Sequence, residues 1–75
     1  MGSKYPVLKP EEIISALQKV GFRVVSQKGS HIKMKSDGLV ARIVIIPNHY
    51  EVAKGTLHGI LQQAGLLLEE FLTQL

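Results

Sequence analysis

The chain contains no cysteine and no tryptophan, and its aromatic residues are two Phe and two Tyr in 75 residues. Without cysteine there is no disulfide framework, no thiol nucleophile and no thiolate metal site. Apolar runs are short: the longest have four residues, as at Ile43-Val44-Ile45-Ile46. A membrane-spanning helix needs about 20. The first residues lack an apolar stretch of the signal-peptide kind, so the expected compartment is the cytoplasm. No internal repeat or low-complexity segment is present. A chain of this size buries only about 60% of the surface its unfolded form exposes, so one small domain is expected. At 45% hydrophobic and 20% charged residues, the composition is that of a folded protein rather than a disordered one.

What is there in excess is positive charge, and it is unevenly placed. Residues 1–35 hold seven bases (Lys4, Lys9, Lys19, Arg23, Lys28, Lys33, Lys35) against Glu11 and Glu12, a net +5. Residues 36–75 hold Arg42 and Lys54 against Asp37, Glu51, Glu69 and Glu70, a net −2. A basic half fits an anionic partner such as nucleic acid. An ordinary solvated lysine-rich surface would give the same count.

The periodicities order the chain. Residues 1–8 read as a flexible leader, and residues 9–75 as a single domain. Pro10, Glu11 and Glu12 suit the first turn of a helix, although Lys9 is a poor cap. Ile13, Leu17 and Val20 keep helical spacing to Gly21, which predicts a helix over roughly 10–20. Three strands are expected next. Phe22–Lys28 is rich in β-branched residues, and Gly29-Ser30 turns the chain. His31–Lys35 alternates strictly, with Ile32 and Met34 on one face and His31, Lys33 and Lys35 on the other. Ser36-Asp37-Gly38 carries a hairpin signal, and Leu39–Ile46 forms the third strand, stopped by Pro47. Lys54-Gly55-Thr56 opens a second helix that ends at Gly65. Leu68, Phe71, Leu72 and Leu75 suggest a short third one. The order α-β-β-β-α(-α) predicts an α+β fold, a three-stranded antiparallel sheet with helices packed on one face. Strand three is apolar on both faces, Leu39, Ala41, Ile43 and Ile45 on one and Val40, Val44 and Ile46 on the other, so whichever row the helices leave open needs a cover. A partner surface is the favoured reading over a wrapped third helix.

Chemistry concentrates at Gln27-Lys28-Gly29-Ser30-His31. An imidazole on the polar face of an alternating strand reaches solvent and can exchange a proton with a hydroxyl near neutral pH. Lys28 and the amides around Gly29 can stabilise a phosphoryl group, and Lys33 and Lys35 can hold a polyanion. A lone exposed histidine beside lysines is more often plain surface. Lys54-Gly55-Thr56 is a second anion-site candidate, with Thr56 as the expected cap, although an ordinary helix start is the commoner case. His49 is placed to approach His31, and His58 falls on the outward face of the second helix. The spacing of His31, His49 and His58 matches no zinc pattern, so no metal site and no cofactor are expected.

Taken in order, these pieces resemble a known family. Gly21-Phe22, Gln27-Lys28-Gly29-Ser30-His31, Pro47 with His49, Lys54-Gly55-Thr56-Leu57 and Ile60-Leu61-Gln62-Gln63-Ala64-Gly65-Leu66 together resemble the HicA toxins over roughly residues 8–72. The resemblance implies a fold like that of double-stranded-RNA-binding domains and an mRNA interferase of a type II toxin–antitoxin system. It also implies a HicB-like antitoxin as partner. It puts the catalytic histidine after Gly-Ser. Many members have two consecutive histidines there; here they are replaced by His31-Ile32. Strand alternation turns Ile32 inward, so the role falls to His31. If the family's second position is the active one, this chain is catalytically silent. The expected RNA-binding set is Lys28, Gly29, Ser30, Lys33, Lys35, Lys54 and Thr56, with His49 as an acid partner. A homodimer through strand 39–46 or helix 67–75 is a further expectation. Two other functions stay open on the residues alone: a non-catalytic RNA-binding module and a protein-interaction domain.

Overall fold

The computed structural model describes residues 5–75. Helix α1 (Pro10–Lys19) begins with proline at its first position, where no helical N–H is lost. The Glu12 carboxylate accepts the Lys9 backbone N–H at 2.9 Å, so the acid three residues into the helix stabilises a start that has no side-chain N-cap. Ile13, Ala16 and Leu17 form the buried stripe. Gly21, at φ 99°, takes the chain out of the helix in a conformation that a Cβ would disfavour.

Strands β1 (Phe22–Lys28), β2 (His31–Ser36) and β3 (Arg42–Pro47) form one antiparallel sheet in the order β1-β2-β3. Helix α2 (Lys54–Ala64) runs back across it and ends at Gly65, whose left-handed φ of 72° closes the last turn. Helix α3 (Leu68–Leu72) is a single turn or so. Its start has the same device as α1: Glu70 accepts the Leu67 N–H at 2.8 Å. Its purpose in the fold is Phe71, which is fully buried. The core lies between one sheet face and the helices: Ile32, Met34, Val44 and Ile46 from the strands meet Ile13, Leu17, Leu57, Leu61 and Phe71. Among the described residues no element lies over the sheet's other face, and they span only 17 Å in the thinnest dimension. The α+β architecture with helices on one face is the one the periodicity predicts.

Three local expectations need correction. The third strand starts at Arg42 rather than Leu39. The last β2 residue, Ser36, pairs with Arg42, so residues 39–41 have no strand opposite them. Leu39 and Val40 therefore stand exposed in a loop. Asp37-Gly38 does not make the tight hairpin turn either. Gly38 is not among the glycines of positive φ, and the Asp37 carboxylate instead takes two hydrogen bonds from the Arg23 guanidinium, at 3.0 and 3.2 Å. The third helix is shorter than 67–75, and Leu75 at its end is exposed. Of the expected leader, residues 1–4 lie outside the described residues. The remainder is attached to the domain: Leu8 is buried, and its carbonyl accepts the Val52 N–H at 2.7 Å.

Candidate functional site

The hairpin between β1 and β2 is built on two residues. Gly29 has φ 58° and Ser30 has no positive φ. A glycine at the first central position is what a type II′ turn requires, and such turns match the twist of the strands they join. Lys28 and His31 are thereby made direct cross-strand partners.

Their common face depends on an irregularity. The register shifts between Val24 and Ser26, leaving Val25 as an extra residue. A bulge of this kind inverts the alternation beyond it. Without it Lys28 would point into the helical layer; with it Lys28 stands beside His31 on the open face. The register across the sheet then gives three rows on that face. Lys28, His31 and Pro47 form the row at the hairpin end. Ser26, Lys33 and Ile45 form the next, and Arg23, Lys35 and Ile43 the last. His31, Lys28 and Lys33 are exposed, Lys35 is half-buried, and Ile32 next to His31 is in the core. The alternation read from the sequence is therefore the one the structure has.

Other elements converge on the same end. The Asn48 N–H donates to the Ser30 carbonyl at 2.7 Å, which ties the loop after β3 to the hairpin. His49 follows on that tethered loop and is exposed. Helix α2 runs antiparallel to β3. Its C-terminal end lies by Arg42 and Ile45, where a Cβ on Gly65 would come within 2.6 Å of the Arg42 guanidinium carbon and Gln63 Oε1 accepts the Ile45 N–H at 3.4 Å. Its N-terminus thus returns to the hairpin end of the sheet, with exposed Lys54 and Thr56 in its first turn and no acid there. Thr56 is not the cap: Ala53 holds that position and no side chain caps the helix. The partial positive charge of the helix end is consequently left facing solvent with Lys54.

The structure thus brings Lys28, Gly29, Ser30 and His31 together and sets Lys33 and Lys35 in line behind them. Lys54, Thr56 and His49 stand at the same end on separate segments. His58 lies elsewhere: its Nδ1 and the Tyr5 hydroxyl are 2.6 Å apart in a hydrogen bond, with the rings edge to face. Among the described residues no three His, Asp or Glu side chains could hold a metal ion together. No helix among the described residues is long and apolar enough to cross a membrane. Two surface hollows among the described residues, of about 280 and 460 Å³, lie between α1 and the C-terminal residues, near Glu11, Lys19, Glu69 and Gln74. Neither touches the hairpin, where the chemistry is concentrated. A polymer laid across an open face needs no enclosed pocket.

Sequence reasoning missed the bulge and the Asn48–Ser30 tie. Two adjacent valines carry no signal of an extra residue, and a hydrogen bond between segments 18 positions apart has none.

The family model of the HicA toxin of bacterial toxin–antitoxin systems matches residues 10–66. The chain belongs to the HicA toxin family. None of the curated proteins matches it. The match runs from α1 through the sheet to the end of α2, so the hairpin, the tethered loop and the α2 start all lie inside the HicA region. Residues 67–75, with α3, lie beyond it. Membership implies an antitoxin partner and, in general, an RNA target.

Proposed function

We propose that this HicA-family toxin is an endoribonuclease that cuts mRNA without a metal ion, with His31 as general base. In this reading the His31 imidazole takes the proton of a ribose 2′-hydroxyl. The 2′-oxygen attacks the adjacent phosphorus, the bond to the 5′-oxygen breaks, and the products are a 2′,3′-cyclic phosphate and a 5′-hydroxyl. The leaving 5′-oxygen needs a proton, and His49 is its proposed donor. Lys28 and the Gly29 amide neutralise the phosphoryl oxygens; Ser30 holds the turn. Lys33, Lys35, Lys54 and Thr56 complete the RNA contacts. The observation that carries the reading is the exposed His31 paired with Lys28 on an uncovered sheet face of a HicA-family chain.

The test is cleavage of a single-stranded RNA by the purified protein in EDTA. His31→Ala should lower the rate by about 10²–10⁴, the usual contribution of a positioned general base. Undiminished cleavage by His31→Ala removes the histidine from the mechanism.

A second reading has an observation of its own. The position after His31 holds Ile32, which is a core residue. If the family's second histidine position is the reactive one, the chain is a non-catalytic RNA-binding module. The same assay separates the two, because that module leaves RNA intact while binding it with strong salt dependence. We further propose that the antitoxin is HicB-like, that the pair acts in the cytoplasm, and that residues 9–75 form the functional domain. Copies of the chain meeting through residues 39–46 or residues 67–75 would be seen by light scattering as twice the chain mass; a single-chain mass excludes that homodimer.

A further inference from the structure

The open sheet face is chemically graded from one edge to the other. On the β1 side its positions are Lys28, Ser26 and Arg23. The middle strand presents His31, Lys33 and Lys35, and the β3 side presents Pro47, Ile45 and Ile43. None of the nine is acidic. Ile43 and Ile45 are 47% and 38% exposed, which is high for isoleucine in a strand. The Lys28, His31, Lys33 and Lys35 side chains have no hydrogen bond or ion pair among the described residues. Arg23 differs: its guanidinium is held by Asp37.

Alternate residues of a strand stand about 6.7 Å apart on one face. That is on the scale of the spacing between successive phosphates in an extended nucleic-acid strand. His31, Lys33 and Lys35 therefore form a straight row whose interval suits one nucleotide per step. The neighbouring β3 column lies about 5 Å to the side. It offers only aliphatic surface, which suits the face of an unstacked base or a ribose and is useless to a phosphate. A duplex presents phosphates and 2′-hydroxyls outward and keeps its base faces stacked, so it has nothing to lay on Ile43 and Ile45. Single-strand sites commonly combine a cationic path for the backbone with aromatic platforms for the bases, a place taken on this face by the aliphatic Ile43 and Ile45.

We propose that the outer sheet face is a single-stranded RNA track, with three successive phosphates seated at Lys28/His31, Lys33 and Lys35 and the bases turned toward Ile45 and Ile43. It deepens the ribonuclease reading by fixing where the rest of the substrate lies relative to the cut. The track selects single strands through its apolar column and leaves sequence choice loose, since aliphatic contacts do not read base edges.

The experiment uses 2′-O-methylated oligouridylates of about two to eight nucleotides, around the lower range of single-strand site sizes. They cannot react by 2′-hydroxyl attack, so binding is measured apart from cleavage. Affinity for the wild-type protein should climb as phosphates are added to fill the three seats and then flatten. Lys33→Ala and Lys35→Ala should each reduce the log–log salt slope by about 0.7, the value for one phosphate contact on a single strand. Ile45→Thr, which keeps a β-branched strand residue, should weaken single-strand binding several-fold with the slope unchanged, and leave any binding of a duplex of equal length as it was. Unchanged thermal midpoints confirm that the variants are folded. Absent oligouridylate binding, unaltered slopes in both lysine variants, or an Ile45→Thr loss shared by the duplex overturns the track. So does a lysine variant that binds oligouridylate normally but fails to bind the antitoxin, which makes the face a protein-docking surface. Lysine-dependent binding with no cutting of unmodified RNA leaves the track standing and removes the catalytic reading. Cutting with slopes unaffected does the reverse.

Discussion

The two ends of the sheet are built from similar residues and differ in how many of their cations are held within the fold, Lys35 at the far end having no hydrogen bond or ion pair among the described residues. At the end away from the hairpin, Arg23 is held by Asp37 with a closest approach of 2.9 Å. Arg42 lies over Gly65, against the negative end of the α2 dipole. Lys19 donates to the Gln74 carbonyl at 2.9 Å. At the hairpin end, the side chains of Lys28, His31 and Lys54 have no such partner among the described residues. The difference teaches where this small protein uses charge for itself and where it leaves charge for a ligand. A cation satisfied within the fold attracts a polyanion weakly; an unmatched row of them, next to a solvent-facing helix N-terminus, attracts it strongly.

One deletion and two substitutions sharpen or break that contrast. The largest effect is expected from deleting Val25. Removing the extra residue restores plain alternation and turns Lys28 toward the helical layer while His31 keeps its place on β2. RNA cleavage should fall by an order of magnitude or more, read as a drop in kcat/KM, and burying a lysine stem should lower the thermal midpoint as well. Full activity in the deletion variant would show that Lys28 does not serve the hairpin end. Next is Gly65→Ala at the far end. A left-handed φ of 72° disfavours any Cβ, and the new methyl meets the Arg42 side chain. A destabilisation of about 1–2 kcal/mol is expected by urea unfolding, with cleavage unaffected below the transition. Activity lost in parallel would mean that the two ends are not separate in function. The smallest effect is that of Asp37→Ala. Both partners of this ion pair are more than half exposed, so stability should change by about 0–1 kcal/mol. Freed of its carboxylate, Arg23 should join Lys35 in the last row, and binding of single-stranded RNA should tighten with a steeper salt slope. Reversal of that gain by Arg23→Ala, but not by the equally charge-lowering Lys19→Ala, in the same background would assign it to the guanidinium rather than to net charge.

Much of this was legible in residue order. Helix α1 was expected to about residue 20 and ends at Lys19, with Gly21 where the turn demands it. The alternation at His31–Lys35 separated the core pair Ile32 and Met34 from the open-face residues because a strand's period of two leaves no other choice. The start of β3 was misread for a physical reason. Leu39, Val40 and Ala41 have strand-like composition, but pairing depends on a partner, and β2 ends at Ser36. Asp37-Gly38 would favour a tight turn locally, yet the Asp37 side chain is engaged by Arg23, 14 positions earlier. The candidate site was readable as a set of residues and not as a surface. Which face Lys28 occupies depends on the Val25 bulge, and the position of the loop carrying His49 depends on the Asn48–Ser30 hydrogen bond. Both are tertiary facts without a local signature.

The most direct test of the central claim, that the unmatched hairpin end cuts RNA through His31, is the chemistry of the ends it leaves. A single-stranded RNA and the same RNA with one 2′-deoxy nucleotide at the cut position are incubated with the wild-type protein and with His31→Ala, in EDTA. The account predicts a 2′,3′-cyclic phosphate and a 5′-hydroxyl from the unmodified RNA with the wild type, no cutting at the deoxy position, and loss of the product in His31→Ala. Equal cutting at the 2′-deoxy position, or the same products from His31→Ala, would contradict it.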